Sequence, residues 1–270
     1  MSADRTVGLI GLGLVGRAIG ARLSAAGFNV LGYDKSPAAM RTFDGNATRD
    51  AMRAKRIVLA VFDTPDAEQV AAEAKPELFI DCSTGDPARI EALAARLAGE
   101  GISYVEAPMS GSSNTIRQGE ATMFVGGDSS GCGDLLEAIA TRRCQIGSVG
   151  MATRAKLAIN LVLGLNRVAL AEGMVFAESL GIPRAQFLEL VRGSPVASVA
   201  AVAKGEKMVS SDFSPDSRIR QHAKDVKRIR QYARFALPMT EAHEKLLDEA
   251  IAAGDGDLDN AAIIRRWRTS

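Results

Sequence analysis

The 270-residue sequence has almost no charge imbalance: 33 Lys and Arg stand against 32 Asp and Glu, a formal net charge of +1. The basic residues are scattered rather than blocked, so the electrostatic footprint of a nucleic-acid or anionic-membrane binder is missing. Histidine and cysteine are scarce. The cysteines, Cys82, Cys132 and Cys144, show neither zinc-type pairing nor the C-x-x-C spacing of a redox pair, and are expected as free thiols. His222 and His243 have no acidic companion at ligand spacing. Both are read as helix-surface residues, and no metal site is expected. No apolar run is read as long enough to span a bilayer. Met1-Ser2-Ala3-Asp4-Arg5 leads straight into a short apolar strand, without a signal peptide's apolar region or cleavage site. A cytoplasmic location is the expectation.

What is present is an ordinary globular composition, 47% hydrophobic and 24% charged, in a chain long enough for a sizeable core. The first half alternates. Strands are expected at 6–10, 29–33, 57–62, 78–82, 102–106, 122–125 and 144–146. A helical pattern over 14–26 ends at Gly27, and Asp86-Pro87 opens another as N-cap and first helical residue. This is the pattern of a parallel sheet covered by helices on both faces. From Met151 to about Leu180 one unbroken helical pattern follows, long enough to join two domains. Beyond Gly181-Ile182-Pro183 the segments 184–192, 196–209, 219–235, 240–253 and 260–266 all read as helical. The expected organisation is α/β: a Rossmann-type dinucleotide-binding domain over 1–150, then an all-helical substrate and dimerisation domain over 151–270, joined by the long helix.

Gly11-Leu12-Gly13-Leu14-Val15-Gly16 fits G-x-G-x-x-G, preceded by a strand and followed by a helix. Gly11 permits the tight turn, Gly13 lets backbone approach a pyrophosphate, and Gly16 lets helix and strand pack closely. The helix start offers unpaired N–H groups to phosphates. Asp34, ending the second strand, is placed to accept from both adenosine ribose hydroxyls and would repel a 2′-phosphate. NAD is therefore preferred, with NADP still admissible because Lys35 stands beside it.

Three later segments bear on chemistry. In Glu106-Ala107-Pro108-Met109-Ser110-Gly111-Ser112, Ser110 and Gly111 combine a hydroxyl with backbone donors in a small loop suited to a carboxylate; alone, the segment fits a simple turn equally well. Lys156 and Asn160 are four apart on an otherwise apolar helix and share one face. A lysine buried there loses affinity for its proton and can act as general acid/base. The competing reading is a lysine snorkelling to solvent. Lys224-Asp225, taken alone, reads as a surface ion pair.

In this order the segments resemble the β-hydroxyacid dehydrogenase family. The resemblance covers almost the whole chain. It rests on the Gly8 to Gly16 stretch, Asp81-Cys82-Ser83-Thr84, Ala107-Pro108-Met109-Ser110-Gly111, Gln118-Gly119-Glu120 with Val125-Gly126-Gly127, the Lys156 helix, and Lys224-Asp225. It implies that Lys156 is the catalytic lysine, that Ser110, Gly111 and Asn160 meet substrate, and that Phe62, Thr84 and Lys224 contact the cofactor. It further implies a small 3-hydroxy carboxylic acid, 3-hydroxyisobutyrate-like, as substrate, and a homodimer or homotetramer. The chain departs from the family pattern at Ser112, at Asn114-Thr115-Ile116, at Phe62-Asp63, and at Ile159 where many members have asparagine. Two other readings stand beside it: an imine-reductase-like NADPH enzyme, against which Lys156 argues, and a non-catalytic dinucleotide-binding protein.

Overall fold

A computed structural model describes residues 5–267. The chain divides into two compact units between Lys156 and Leu157, inside the long helix and past the expected boundary at residue 150.

The first unit is built on one sheet. Its strands are β1 (Thr6–Ile10), β2 (Asn29–Tyr33), β3 (Asn46–Ala47), β4 (Arg56–Leu59), β5 (Leu78–Asp81), β6 (Ser103–Glu106), β7 (Met109–Ser110), β8 (Thr122–Gly126) and β9 (Arg142–Gly147). They lie in the order β3-β2-β1-β4-β5-β6-β8-β7, with β9 also paired to β8. From β3 to β6 every pairing is parallel; β8 runs antiparallel to β6 and β7. Alternate strand residues feed two cores. Val7, Leu9, Val58 and Ile80 pack on one face, and Ile10, Ile57, Leu59 and Phe79 on the other. That two-sided burial explains why β4 and β5 read as continuous apolar runs.

Helices α1 (Leu14–Ala25), α2 (Pro37–Arg41), α3 (Thr64–Glu73), α4 (Pro87–Gly99), α5 (Ser113–Gln118) and α6 (Gly133–Ile139) connect the strands. As expected, Asp86 caps α4, its carboxylate accepting from the Ala88 and Arg89 N–H groups. Asp63 caps α3 in the same way, with Pro65 in its first turn. Beside α1, the Phe43 ring occupies a slot that Gly20, Gly32 and Gly45 leave open. A Cβ on any of them would come within 3.0 Å of the ring.

The second unit is helical: the rest of α7 (Met151–Ser179), then α8 (Arg184–Arg192), α9 (Val199–Ser210), α10 (Ile219–Tyr232) and α11 (Pro238–Ala252). No strand follows β9 among the described residues. The final segment Asn260–Trp267 is a 3₁₀ helix rather than the α-helix its pattern suggested. Asp259 explains its place: its fully buried carboxylate takes the Lys204 ammonium at 2.7 Å and the N–H groups of Asp216, Ser217 and Ala261. One expectation is corrected. Over its 29 residues α7 is long and apolar enough, by length and composition alone, to cross a membrane. The charge-free runs in it are short because Arg167 and Glu172 interrupt them, which is why the run was not seen in the sequence.

Candidate active site

The parallel strands β2, β1, β4, β5 and β6 end at one edge of the sheet, and the candidate residues of the first unit follow those ends. Asp34 follows β2, the glycine turn follows β1, Phe62 follows β4, Thr84 follows β5, and Ala107 to Gly111 follow β6. The chain runs outward from β1 through β2 to β3, then returns to place β4 on the other flank of β1. Such a switch of direction leaves a crevice beyond the strand ends, where open α/β sheets bind ligands.

The turn itself is shaped by missing side chains. Gly11 has φ +96, and a Cβ there would meet the Ala60 carbonyl oxygen at 2.4 Å. A Cβ on Gly16 would lie 1.8 Å from the Gly11 oxygen, so α1 can start this close to β1 only with glycine. A Cβ on Gly13 would meet nothing within 4 Å. Gly13 is the N-cap of α1, and no side chain caps the helix. The first N–H groups of a helix have no acceptor within it. An open space over Gly13, facing uncapped N–H groups at the positive end of a helix, fits the pyrophosphate of a dinucleotide. Leu12 contributes differently: its side chain is fully buried and its N–H donates to Asp34 Oδ2 at 2.7 Å. The Ser36 N–H donates to Asp34 Oδ1 at 2.8 Å. Two backbone donors thus orient the Asp34 carboxylate at the end of β2. Lys35 turns to Asp66, 2.6 Å away.

The loops after β4 and β5 are tied together. Ser83 Oγ accepts from the Val61 N–H at 3.0 Å, and the buried Asp81 accepts from the Ser83 N–H and the Tyr104 hydroxyl. Phe62 and Thr84 sit on these loops, Phe62 exposed and Thr84 half-buried. Ser110 pairs with Thr122 across β7 and β8, and Gly111 packs close to Thr115 and Ala121. Ser112, where the family pattern has glycine, is the N-cap of α5 and accepts from the Thr115 N–H.

Glu106 carries no role in the sequence pattern beyond opening its segment. It ends β6, and its buried carboxylate accepts from the N–H groups of Gly150, Thr153 and Ala152 at 2.8, 2.8 and 3.2 Å. Burial pushes its acidity down, raising its pKa, while these donors oppose the shift. The carboxylate therefore clamps the first turn of α7, the helix that carries Lys156, to the end of β6. Nothing local marks this, since acceptor and donors are more than forty residues apart. Gly126 makes room: a Cβ there would meet Glu106 Oε2 at 2.6 Å.

Lys156 and Asn160, one turn apart on α7, are 7% and 4% exposed. Within the helical unit, the Asn160 amide Nδ2 donates to Asp225 Oδ2 at 2.8 Å. Lys224 Nζ lies 3.3 Å from Asp225 Oδ1, with side chains 12% and 8% exposed. Asp225 is therefore buried and Lys224 half-buried, so the pair is not the surface ion pair its sequence suggested. The histidines are corrected too. His222 and His243 are buried, with ring centroids 5.1 Å apart, and a Cβ on Gly164 would strike both rings. Burial, and then the buried Arg167, hold the His243 imidazole neutral and lower its pKa to about 4. The signal was available: Ile219, His222, Ala223, Val226 and Ile229 are spaced as the buried stripe of one helix. The three cysteines are free thiols, and among the described residues no cluster of His, Cys, Asp and Glu could hold a metal ion.

Comparison with known proteins adds to this geometry. A family model described as the NAD binding domain of 6-phosphogluconate dehydrogenase matches residues 6–150. A second, described as NAD-binding of NADP-dependent 3-hydroxyisobutyrate dehydrogenase, matches residues 150–267. The chain is 26% identical to the 2-hydroxy-3-oxopropionate reductase of Escherichia coli K12, with 96% of each chain covered. It is 28% identical to the L-threonate dehydrogenase of Cupriavidus necator, covering 97% of this chain and 96% of that one. The crystal structure of 3-hydroxyisobutyrate dehydrogenase from Salmonella typhimurium superposes with a TM-score of 0.88 at 26% identity, covering 97% and 99% of the two chains.

Proposed function

Since the chain belongs to the β-hydroxyacid dehydrogenase family, we propose that it oxidises a small 3-hydroxy carboxylic acid, 3-hydroxyisobutyrate-like, with Lys156 as general acid/base. The observation that carries this reading is a lysine held almost dry on α7, one turn before an equally buried Asn160. A buried amine surrenders its proton more readily than a solvated one, which suits it to exchange protons near neutral pH.

The bound dinucleotide supplies a hydride acceptor in this chemistry. The Ser110 hydroxyl and the Gly111 N–H hold the substrate carboxylate. Asn160 orients the substrate hydroxyl, and Lys156 Nζ takes its proton as the carbon is oxidised. Holding the carboxylate fixes where the carbinol carbon sits, the part of the barrier that positioning removes. The uncapped start of α1 receives the pyrophosphate, and Phe62, Thr84 and Lys224 complete the cofactor contacts. Asp34, oriented by the Leu12 and Ser36 N–H groups, accepts from the adenosine ribose hydroxyls. Asp34 would repel a 2′-phosphate, and Lys35 beside it is engaged by Asp66, which favours NAD over NADP. The same reading takes the chain as a cytoplasmic homodimer or homotetramer. Ile159, Val162 and Phe176, large apolar residues exposed along α7, support the pairing.

The test is Lys156→Ala, assayed on the best substrate from a panel of small hydroxy acids with NAD and NADP in parallel, and with a cyclic imine as control. Turnover should fall by a factor of roughly 10²–10⁴ while NADH affinity changes little. Near-normal turnover in that variant removes the assignment.

A further inference from the structure

Asp225 stands on α10 beside Lys224, and each of its oxygens faces a different donor. Oδ2 accepts from Asn160 Nδ2 at 2.8 Å, in a buried bond. Oδ1 lies 3.3 Å from the Lys224 ammonium, an ion pair without hydrogen-bond geometry. A carboxylate paired with an ammonium accepts hydrogen bonds and donates none. The end of the Asn160 amide that meets it must therefore be the NH₂ group. The other end, the carbonyl Oδ1, is then directed away from Asp225. The oxygen and nitrogen of an amide have nearly the same shape, so packing alone does not choose between the two orientations. The charge on Asp225 does choose, and a charge-assisted bond in a dry site is among the stronger ones.

Resting on the reading of Asn160 as the residue that steers Lys156 and the substrate hydroxyl, we propose that Asp225 is a positioning residue that sets the sense of the Asn160 amide. It makes Asn160 present its carbonyl oxygen on the helix face shared with Lys156, one turn away, where it can take an amine N–H and leave the Lys156 lone pair for the single hydroxyl proton. Its second oxygen holds Lys224, so one carboxylate sets both the substrate-side and the cofactor-side residue of the helical unit. The lone surface ion pair suggested by the sequence becomes a three-residue relay, Asn160–Asp225–Lys224.

The isosteric Asp225→Asn is the decisive variant. Lys224 attracts the carbonyl end of the new amide, which turns its own NH₂ group towards Asn160 and makes Asn160 flip. The expected result is a kcat about 10–100-fold lower with a smaller change in KM. Asn160→Ala should lose a similar factor, and the double variant should match Asn160→Ala within about twofold, because both changes act through one amide. Losses that multiply in the double variant, or a normal kcat in Asp225→Asn beside an impaired Asn160→Ala, overturn the positioning role alone. A normal Asn160→Ala instead removes the reading of Asn160, and this inference with it. A readout free of turnover uses the parent protein: the Asn160 side-chain NH₂ resonance, identified by its loss in Asn160→Ala, should exchange slowly with solvent. Fast exchange of that resonance overturns the proposal even if Asp225→Asn does not fold.

Discussion

The two units build their polar sites from opposite materials. In the α/β unit the glycine turn works through backbone and empty space: Gly16 and Gly11 touch, Gly13 faces nothing, and the start of α1 is left uncapped. In the helical unit the polar groups are side chains: Asn160, Asp225 and the half-buried Lys224 in one cluster, the buried His222 and His243 in another. A site made of backbone is intolerant of added atoms. A site made of side chains is intolerant of lost partners and sensitive to protonation, because a buried polar group without its partner costs far more than an exposed one.

The sharpest way to break that contrast is within the turn itself. Gly16→Ala places a methyl inside the Gly11 carbonyl and should both abolish NADH binding and lower the melting temperature. Gly13→Ala meets nothing in the protein. It should melt like the parent yet bind NADH at least about tenfold more weakly, since only a ligand approaching the backbone would feel the methyl. Parent-like NADH affinity in Gly13→Ala, read by fluorescence titration, would remove the phosphate cradle.

Glu106→Ala comes next. It strips three N–H groups of a buried acceptor and should cost about 2–4 kcal/mol in chemical denaturation. An unchanged midpoint would show that the clamp on α7 is dispensable.

The smallest effect expected is the pH response of His243. Its pKa falls from the ordinary 6.5 to about 4 on folding, so the unfolded chain binds the proton first as the solution is acidified. The stability contributed is complete above pH 6.5 and drains away as pH falls towards 4, by at most about 3 kcal/mol. Over that window the parent should lose more stability than His243→Leu; parallel curves would assign the loss to other groups.

What was legible in the sequence follows the same divide. The turn could be read because its glycines are contiguous and flanked by an apolar strand and a helix. Strand edges differ by up to three residues where loops continue the apolar run, as at Ala60-Val61-Phe62 after β4. Helix α3 is not among the expected elements because Asp63, its cap, reads in the sequence as a departure from a family pattern. The histidines were misplaced because α10 is crowded with Arg and Lys, and its charge outweighed the buried stripe that includes His222. Glu106 and Asp225 could not be assigned from the chain alone. Their partners lie 44 to 47 and 65 residues away, and only folding makes them neighbours.

The slot around Phe43 carries a consequence for how this protein can change. Gly20, Gly32 and Gly45 come from α1, β2 and a separate loop, yet all three give way to one ring. A methyl on Gly32 or Gly45 would overlap the ring at 2.6 or 2.7 Å, whereas one on Gly20 would ask it to shift only slightly. Enlargement at either of the first two is therefore accommodated only together with a change at position 43, so both sites are coupled through one side chain.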